Sequence, residues 1–110
     1  MSKEHKVVII EGHDSEDNKV CWVVPGRLVA SAGDAVLFKV NRSVGGPVEI
    51  TPPDFLVPGR PSPIVLNSGQ SELRRIAPDA EEGAYPYTVF CKHLGANARG
   101  ASEPEIIVDN

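Results

Sequence analysis

Short apolar runs separated by turn-forming residues follow one another along the whole chain. In residues 35–40, Val36, Phe38 and Val40 alternate with a mixed set of side chains, which is the period of two typical of a strand with one buried face. The pattern predicts strands over residues 6–11, 20–24, 35–40, 48–51, 64–66, 71–76, 85–91 and 105–108, with extended structure also over 28–30.

Glycine and proline separate these runs. The chain has ten of each, and the longest segments without either are only 11 or 12 residues long. Fourteen valines and seven isoleucines favour strands, and no room is left for crossover helices between them. The sequence therefore predicts one all-β domain over residues 1–110, built as an antiparallel sandwich or barrel.

Charge and hydropathy limit the possible functions. The net charge is -4, and the only adjacent basic residues are Arg74 and Arg75, so no nucleic-acid partner is expected. No apolar run is long enough for a membrane span, and Val7–Ile10 is too short for the core of a signal peptide. We therefore expect a cytoplasmic protein if Met1 is native, and a periplasmic or otherwise exported one if a signal has been removed.

The segment 52–63 contains five prolines in twelve residues, which disfavours both a helix and a central strand. One interpretation is a stiff connecting loop. The other is a contact surface, because Phe55, Leu56 and Val57 interrupt the prolines and could dock a protein partner or a second copy of the chain.

The C-terminal third contains a recognisable motif. Residues 83–100 read GAYPYTVFCKHLGANARG and resemble the plastocyanin and azurin class of cupredoxins. In that class a Gly-x-Tyr-x-aromatic strand delivers a copper-binding Cys, and the next loop delivers a His and then a Met. Residues 29–41 (VASAGDAVLFKVN) and 66–71 (LNSGQS) are similar to two further family segments. The resemblance covers about residues 20–108 and implies a Greek-key β-sandwich of seven or eight strands.

The copper ligands of that family are only partly matched. Cys91 stands where the thiolate is expected, but His93 follows after one intervening residue instead of at least two. Val48 occupies the place of the other imidazole, and Ala98 that of the axial Met. A blue-copper centre requires two imidazoles and a thiolate, so the resemblance implies an incomplete or altered site.

Three interpretations of this region remain open. Cys91 and His93 could share a metal, with His13 and Glu49 as further candidate ligands and copper as the possible cofactor. Alternatively, Cys91 is a small buried residue and His93 an ordinary loop residue, or Cys91 is a reactive thiol. A disulfide between Cys21 and Cys91 is also possible.

No recognisable arrangement of nucleophile, base and orienting carboxylate is present, so an enzyme is not expected. The sequence instead favours a small binding or accessory protein with a degenerate copper site. The alternative is a copper-dependent electron carrier with an altered, non-blue site built around Cys91 and His93.

Overall fold

The regular structure of this chain is almost all β strand, and the computed structural model describes residues 3–98 and 103–110. One 3-10 turn, Lys92–Leu94, precedes the last two strands. The strands are β1 (Glu4–His13), β2 (Lys19–Val24), β3 (Arg27–Ala30), β4 (Ala35–Val40), β5 (Val48–Thr51), β6 (Leu56–Val57), β7 (Ile64–Leu66), β8 (Ser71–Ile76), β9 (Gly83–Pro86), β10 (Thr88–Cys91), β11 (Ala96–Asn97) and β12 (Glu105–Val108).

These strands form three hydrogen-bonded sheets. A five-stranded sheet has the order β2-β1-β4-β8-β6, a four-stranded sheet the order β11-β10-β5-β7, and a three-stranded sheet the order β3-β12-β9. The pairs β1–β4 and β3–β12 are parallel, and the other pairs are antiparallel. The predicted all-β sandwich is confirmed, with mixed sheets in place of purely antiparallel ones.

The described residues contain more strand segments than the seven or eight expected, because one predicted strand divides and two short strands, β6 and β11, form outside the predicted ones. The predicted strand 85–91 changes sheets at Tyr87: β9 pairs with β12, whereas β10 pairs with β5 and β11. At the break, the Tyr87 amide donates to the carbonyl of Pro104 at 2.9 Å. One continuous extended segment therefore joins two of the sheets.

The proline-rich segment also differs from a simple loop. Leu56 and Val57 form a short strand that pairs with β8 at the end of the five-stranded sheet, a position where neighbouring prolines are tolerated. Leu56 is only 1% exposed, and the Phe55 ring packs edge-on against Tyr85 with centroids 4.6 Å apart. Of the three side chains considered for a contact surface, Val57 alone is well exposed, at 42%.

A buried arginine holds the same segment in place. The Arg74 side chain is fully buried, and its guanidinium donates to the carbonyls of Pro58 and Pro61 and to the Glu72 carboxylate. The distances to Glu72 and Pro61 are both 2.8 Å. Three hydrogen bonds satisfy a charge that would be very unfavourable if buried alone, and they tie the loop to β8.

Asp34 anchors the start of β1 to the turn before β4. Its carboxylate accepts hydrogen bonds from the backbone amides of Lys3 and Ser31, each at 3.0 Å, and from the ring of His5 at 2.8 Å. The residue is 5% exposed, so these three donors replace most of its contact with water.

The core fills the space between the sheets. It includes the alternating side chains of β4, since Val36, Phe38 and Val40 are all completely buried. Among the described residues, no helix is long and apolar enough to cross a membrane.

Candidate functional site around Cys91

Cys91 lies at the end of β10, enclosed by neighbouring strands. It is paired in register with Val48 of β5 on one side and with Ala96 of β11 on the other, and it is 1% exposed. Val48, at the position of the missing imidazole, is completely buried. An isopropyl group has no lone pair, so the residue facing the thiol on β5 contributes packing and cannot bind a metal.

A second buried thiol affects Cys91 from the five-stranded sheet. Cys21 lies on β2 and is 2% exposed, and its interaction with Cys91 adds to the effect of burial in raising the pKa of the Cys91 thiol. Both cysteines are free thiols. Burial raises the pKa of both thiols above the usual range for cysteine, and the nearby negative charge of Glu11 adds to the effect. The pair therefore exists as neutral thiols at ordinary pH.

The strand alternation around Cys21 explains this placement. Cys21 and Val23 are buried in the core, whereas Trp22 is partly exposed on the other face of β2 and lies over Gly12 of the neighbouring strand. A Cβ atom at Gly12 would lie 3.0 Å from the indole ring.

His93 belongs to the 3-10 turn after β10 and is held by Glu11. Its Nε2 atom makes a close hydrogen bond to the Glu11 carboxylate, which also accepts the Gly45 amide at 3.0 Å. Burial favours the neutral carboxyl, but the hydrogen bonds from Gly45 and His93 outweigh it and lower the pKa of Glu11. Nε2 of His93 is therefore already occupied by a protein partner.

The close packing of the His93 ring explains why residue 46 is a glycine. A Cβ atom at Gly46 would lie 2.9 Å from the Cβ atom of His93, closer than such atoms normally approach. The Gly45-Gly46 segment thus lets the ring lie against the backbone, and His93 keeps 23% of its side chain exposed.

The two remaining candidate ligands lie apart from this group. His13 is exposed at the end of β1, opposite Lys19. Glu49 alternates with Val48 along β5, and its carboxylate pairs with the Lys92 ammonium at 2.9 Å. In the parts of the chain that the structure describes, no three His, Cys, Asp or Glu side chains come close enough to hold a metal ion. A metal role for Cys91, His93, His13 and Glu49 stays a prediction.

The residues at this end of the sandwich do not fit a blue-copper set. Cys91 is paired with Val48 on the neighbouring strand β5, and His93 is bonded to Glu11. Ala98, at the position of the axial Met, has no donor atom in its side chain. Glu11 was missed by the sequence reasoning, which considered His13, two residues further along the same strand. The face of β1 on which Glu11 lies could be predicted from alternation, but the contact of Glu11 with His93, 82 positions away, could not.

No protein-family model matches the sequence, and no curated protein matches it either. Solved structures do match. One, described as a novel purple cupredoxin from Nitrosopumilus maritimus, is 18% identical with a TM-score of 0.53, and the alignment covers 96% of this chain and 99% of the other. Another, a copper nitrite reductase from Nitrosomonas europaea, is 17% identical with a TM-score of 0.51, over 97% of this chain and 49% of the reductase. The similarity shows that the chain has a cupredoxin-like fold, as predicted.

Proposed function

We propose that this chain is a non-enzymatic binding or accessory module built on a cupredoxin-like scaffold, without a blue-copper centre. The observation that supports the proposal is the pairing of Cys91 with the completely buried Val48. This pairing leaves the thiol facing an apolar residue where the family pattern provides an imidazole.

Two further observations support the absence of enzymatic chemistry at this site. Cys91 lies two residues from an imidazole in the sequence, yet it is 1% exposed and burial raises its pKa. Nucleophilic cysteines need a lowered pKa and access to solvent. The His93 ring is bonded to Glu11 through Nε2, so that nitrogen is not available to take a proton from Cys91.

The second candidate function is copper-dependent electron transfer through an altered site around Cys91 and His93. It is supported by the position of Cys91, which matches the thiolate of the family motif, and by fold similarity to a purple cupredoxin and a copper nitrite reductase. In this alternative, copper would have to displace the Glu11 carboxylate from His93 and the proton from Cys91.

Titration of the purified protein with Cu(II), followed by visible absorption, tests these two functions. We expect no intense thiolate-to-copper charge-transfer band from the wild type. The variant V48H should acquire such a band, because it places an imidazole beside Cys91, and V44H should not, since Val44 is another fully buried valine outside this register pair. An intense band in the wild type that disappears in C91S would overturn the proposal and support electron transfer.

Stability measurements provide a second readout for the same variants. Copper at a hundredfold excess over its dissociation constant should raise the free energy of unfolding of V48H by about 2.7 kcal/mol and leave the wild type unchanged. Circular dichroism establishes that each variant is folded. If V48H does not fold, the wild-type spectrum alone decides between the two functions.

A further inference from the structure

The five-stranded sheet carries apolar side chains on the face that points away from the core. Alternation sends one set of residues of each strand inward and the other set outward. The register places six outward apolar side chains side by side in three pairs, Val8 with Val24, Ile10 with Trp22, and Leu37 with Leu73. All six are at least partly exposed, and we call them the outer face.

The outer face includes the single tryptophan of the chain. A Cβ atom at Gly12 would lie 3.0 Å from Cζ3 and 3.7 Å from Cη2 of Trp22, so the indole lies against the bare backbone of β1. A partly exposed indole on a rigid sheet offers a large apolar area with one polar N–H group, which is typical of residues that dominate protein interfaces.

Two lysines lie among these apolar side chains. In the parallel pair β1–β4, Lys6 is in register with Leu37, and Lys39 is in register with Val8. Each lysine also lies two residues from an apolar member of the outer face on its own strand, and both are exposed. Within the described residues, neither ammonium group takes part in an ion pair. Any surface that covers Val8 and Leu37 must therefore cover both ammonium groups.

The charge on this face is opposite in sign to that of the whole chain. The exposed charged residues that share the outward side of β1, β4 and β8 are one acid and three bases, Glu4, Lys6, Lys39 and Arg75. The chain as a whole has a net charge of -4. The outer face is thus a local basic area on an acidic protein, and it attracts acidic surfaces.

We propose that the outer face docks an acidic protein partner, one whose apolar side chains are flanked by Asp or Glu carboxylates. Covering Lys6 and Lys39 without supplying carboxylates would leave two ammonium groups dehydrated and unpaired, which is very unfavourable. The proposal rests on the binding role proposed above and assigns that role to a surface away from Cys91.

The same charges argue against a second copy of the chain as the occupant. In a two-fold dimer each copy would contribute the same patch, so Lys6 and Lys39 of one protomer would meet a patch that also carries both lysines. Like charges that face each other in an interface are unfavourable. A different, acidic protein satisfies both the apolar and the charged positions.

The dimensions of the outer face fit a transient complex. It spans four neighbouring strands, β2, β1, β4 and β8, or about 14 Å across the sheet. From Lys6 to Ile10 it extends about 13 Å along the strands. An apolar patch of this size with charged neighbours resembles the centre of a small, reversible interface, which is smaller and more polar than that of an obligate dimer.

Fluorescence of Trp22 tests the surface directly, because no other tryptophan contributes to the emission. The probe is a synthetic amphipathic peptide without tryptophan, with leucines on one side flanked by glutamates, and its control has glutamine at each glutamate. The glutamate peptide should shift the Trp22 emission to shorter wavelength in a saturable way. The glutamine peptide should bind at least about tenfold more weakly.

Matched variants separate the outer face from the rest of the surface. K6E/K39E should bind the glutamate peptide at least about tenfold more weakly, whereas K3E/K19E, with the same change in net charge at exposed lysines outside the face, should bind like the wild type. L73S should also weaken binding. V65S should not, because Val65 has the same exposure as Leu73, 49%, but lies on β7 of the other sheet.

Several results would overturn the inference. Equal binding of the two peptides, or unchanged binding in K6E/K39E, would show that the lysines do not select an acidic partner. A wild-type dimer in sedimentation velocity that L73S dissociates would identify a second copy as the occupant. An emission shift with phosphatidylglycerol vesicles, but not with the glutamate peptide, would identify a membrane surface.

The outcome is independent of the copper titration that tests the proposed function. A chain that binds copper at Cys91 and also binds the glutamate peptide would refute the proposed function and keep this surface. A chain that binds neither would refute the surface alone. The comparison of the two peptides on the wild type decides the question even if a variant does not fold.

Discussion

Replacement of Asp34 by asparagine should weaken the fold at neutral pH and remove part of its sensitivity to acid. The carboxylate connects three separate segments through the amides of Lys3 and Ser31 and the ring of His5. Asparagine has nearly the same shape and keeps one oxygen acceptor. It has no negative charge, however, and its amide nitrogen would face donor groups.

The size of the effect follows from the pKa of Asp34. Burial alone would raise that pKa, but the hydrogen bonds from His5, Lys3 and Ser31 outweigh it and lower the pKa from 3.8 to about 2. A lowering of nearly two pH units corresponds to about 2.4 kcal/mol of preference for the ionised form in the folded protein. Because asparagine keeps one oxygen acceptor for these donors, we expect the replacement to remove about 1–2 kcal/mol of that preference.

The sign of the pH dependence is determined by the lowered pKa. In the unfolded chain Asp34 titrates near its ordinary value, so its stabilising contribution is complete above about pH 4. As the pH falls from 4 towards 2, the unfolded state takes up the proton first and the contribution is lost. The wild type should therefore lose this portion of its stability over that interval, whereas D34N has no such carboxylate to titrate.

Urea denaturation at a series of pH values between 2 and 7 measures these effects. At pH 7, D34N should unfold with a free energy about 1–2 kcal/mol below that of the wild type, and the two curves should converge near pH 2. D109N is the matched control, because Asp109 borders the same 460 Å³ surface cavity as Asp34 but is exposed. A constant difference between D34N and the wild type over the whole pH range would refute the reasoning.

Two other buried polar groups lead to opposite predictions. The Tyr87 hydroxyl is buried and has no hydrogen-bond partner among the described residues. Y87F should therefore raise the free energy of unfolding by about 1 kcal/mol, and the ring should keep its edge-on contact with Phe38. A loss of stability in urea denaturation would contradict this expectation. R74M should lower the free energy of unfolding by about 3 kcal/mol, because the carbonyls of Pro58 and Pro61 lose their hydrogen-bond donor. The same variant should be cleaved faster by proteases within residues 58–63. Unchanged stability and cleavage in R74M would show that Arg74 does not anchor the segment.

The parts of the fold that depend on local alternation could be predicted from the sequence. Val36, Phe38 and Val40 were assigned to one apolar face, and all three are completely buried. Two turns also agree with their glycines: Gly33 lies between β3 and β4 and Gly69 between β7 and β8, and both have positive φ values, 85° and 81°.

The parts that depend on distant contacts could not be predicted from the sequence. A period of two indicates that a strand exists but does not identify its neighbours, so the parallel pairing of β1 with β4 and the change of sheets at Tyr87 gave no local signal. The contact of Glu11 with His93 joins residues 82 positions apart in the chain. Residue type identifies possible donors, whereas topology alone determines which of them meet.

The surroundings of the candidate donors explain why the described residues contain no group of three ligands that could hold a metal ion. A site organised for copper but lacking it would leave an imidazole and a thiol without partners in a poorly solvated place, which is unfavourable. Here the imidazole of His93 is bonded to Glu11, and the thiol of Cys91 is buried in the hydrophobic core beside the completely buried Val48. A metal would therefore have to break these contacts before it gained its own, and the region is stable as a packed, hydrogen-bonded end of the core.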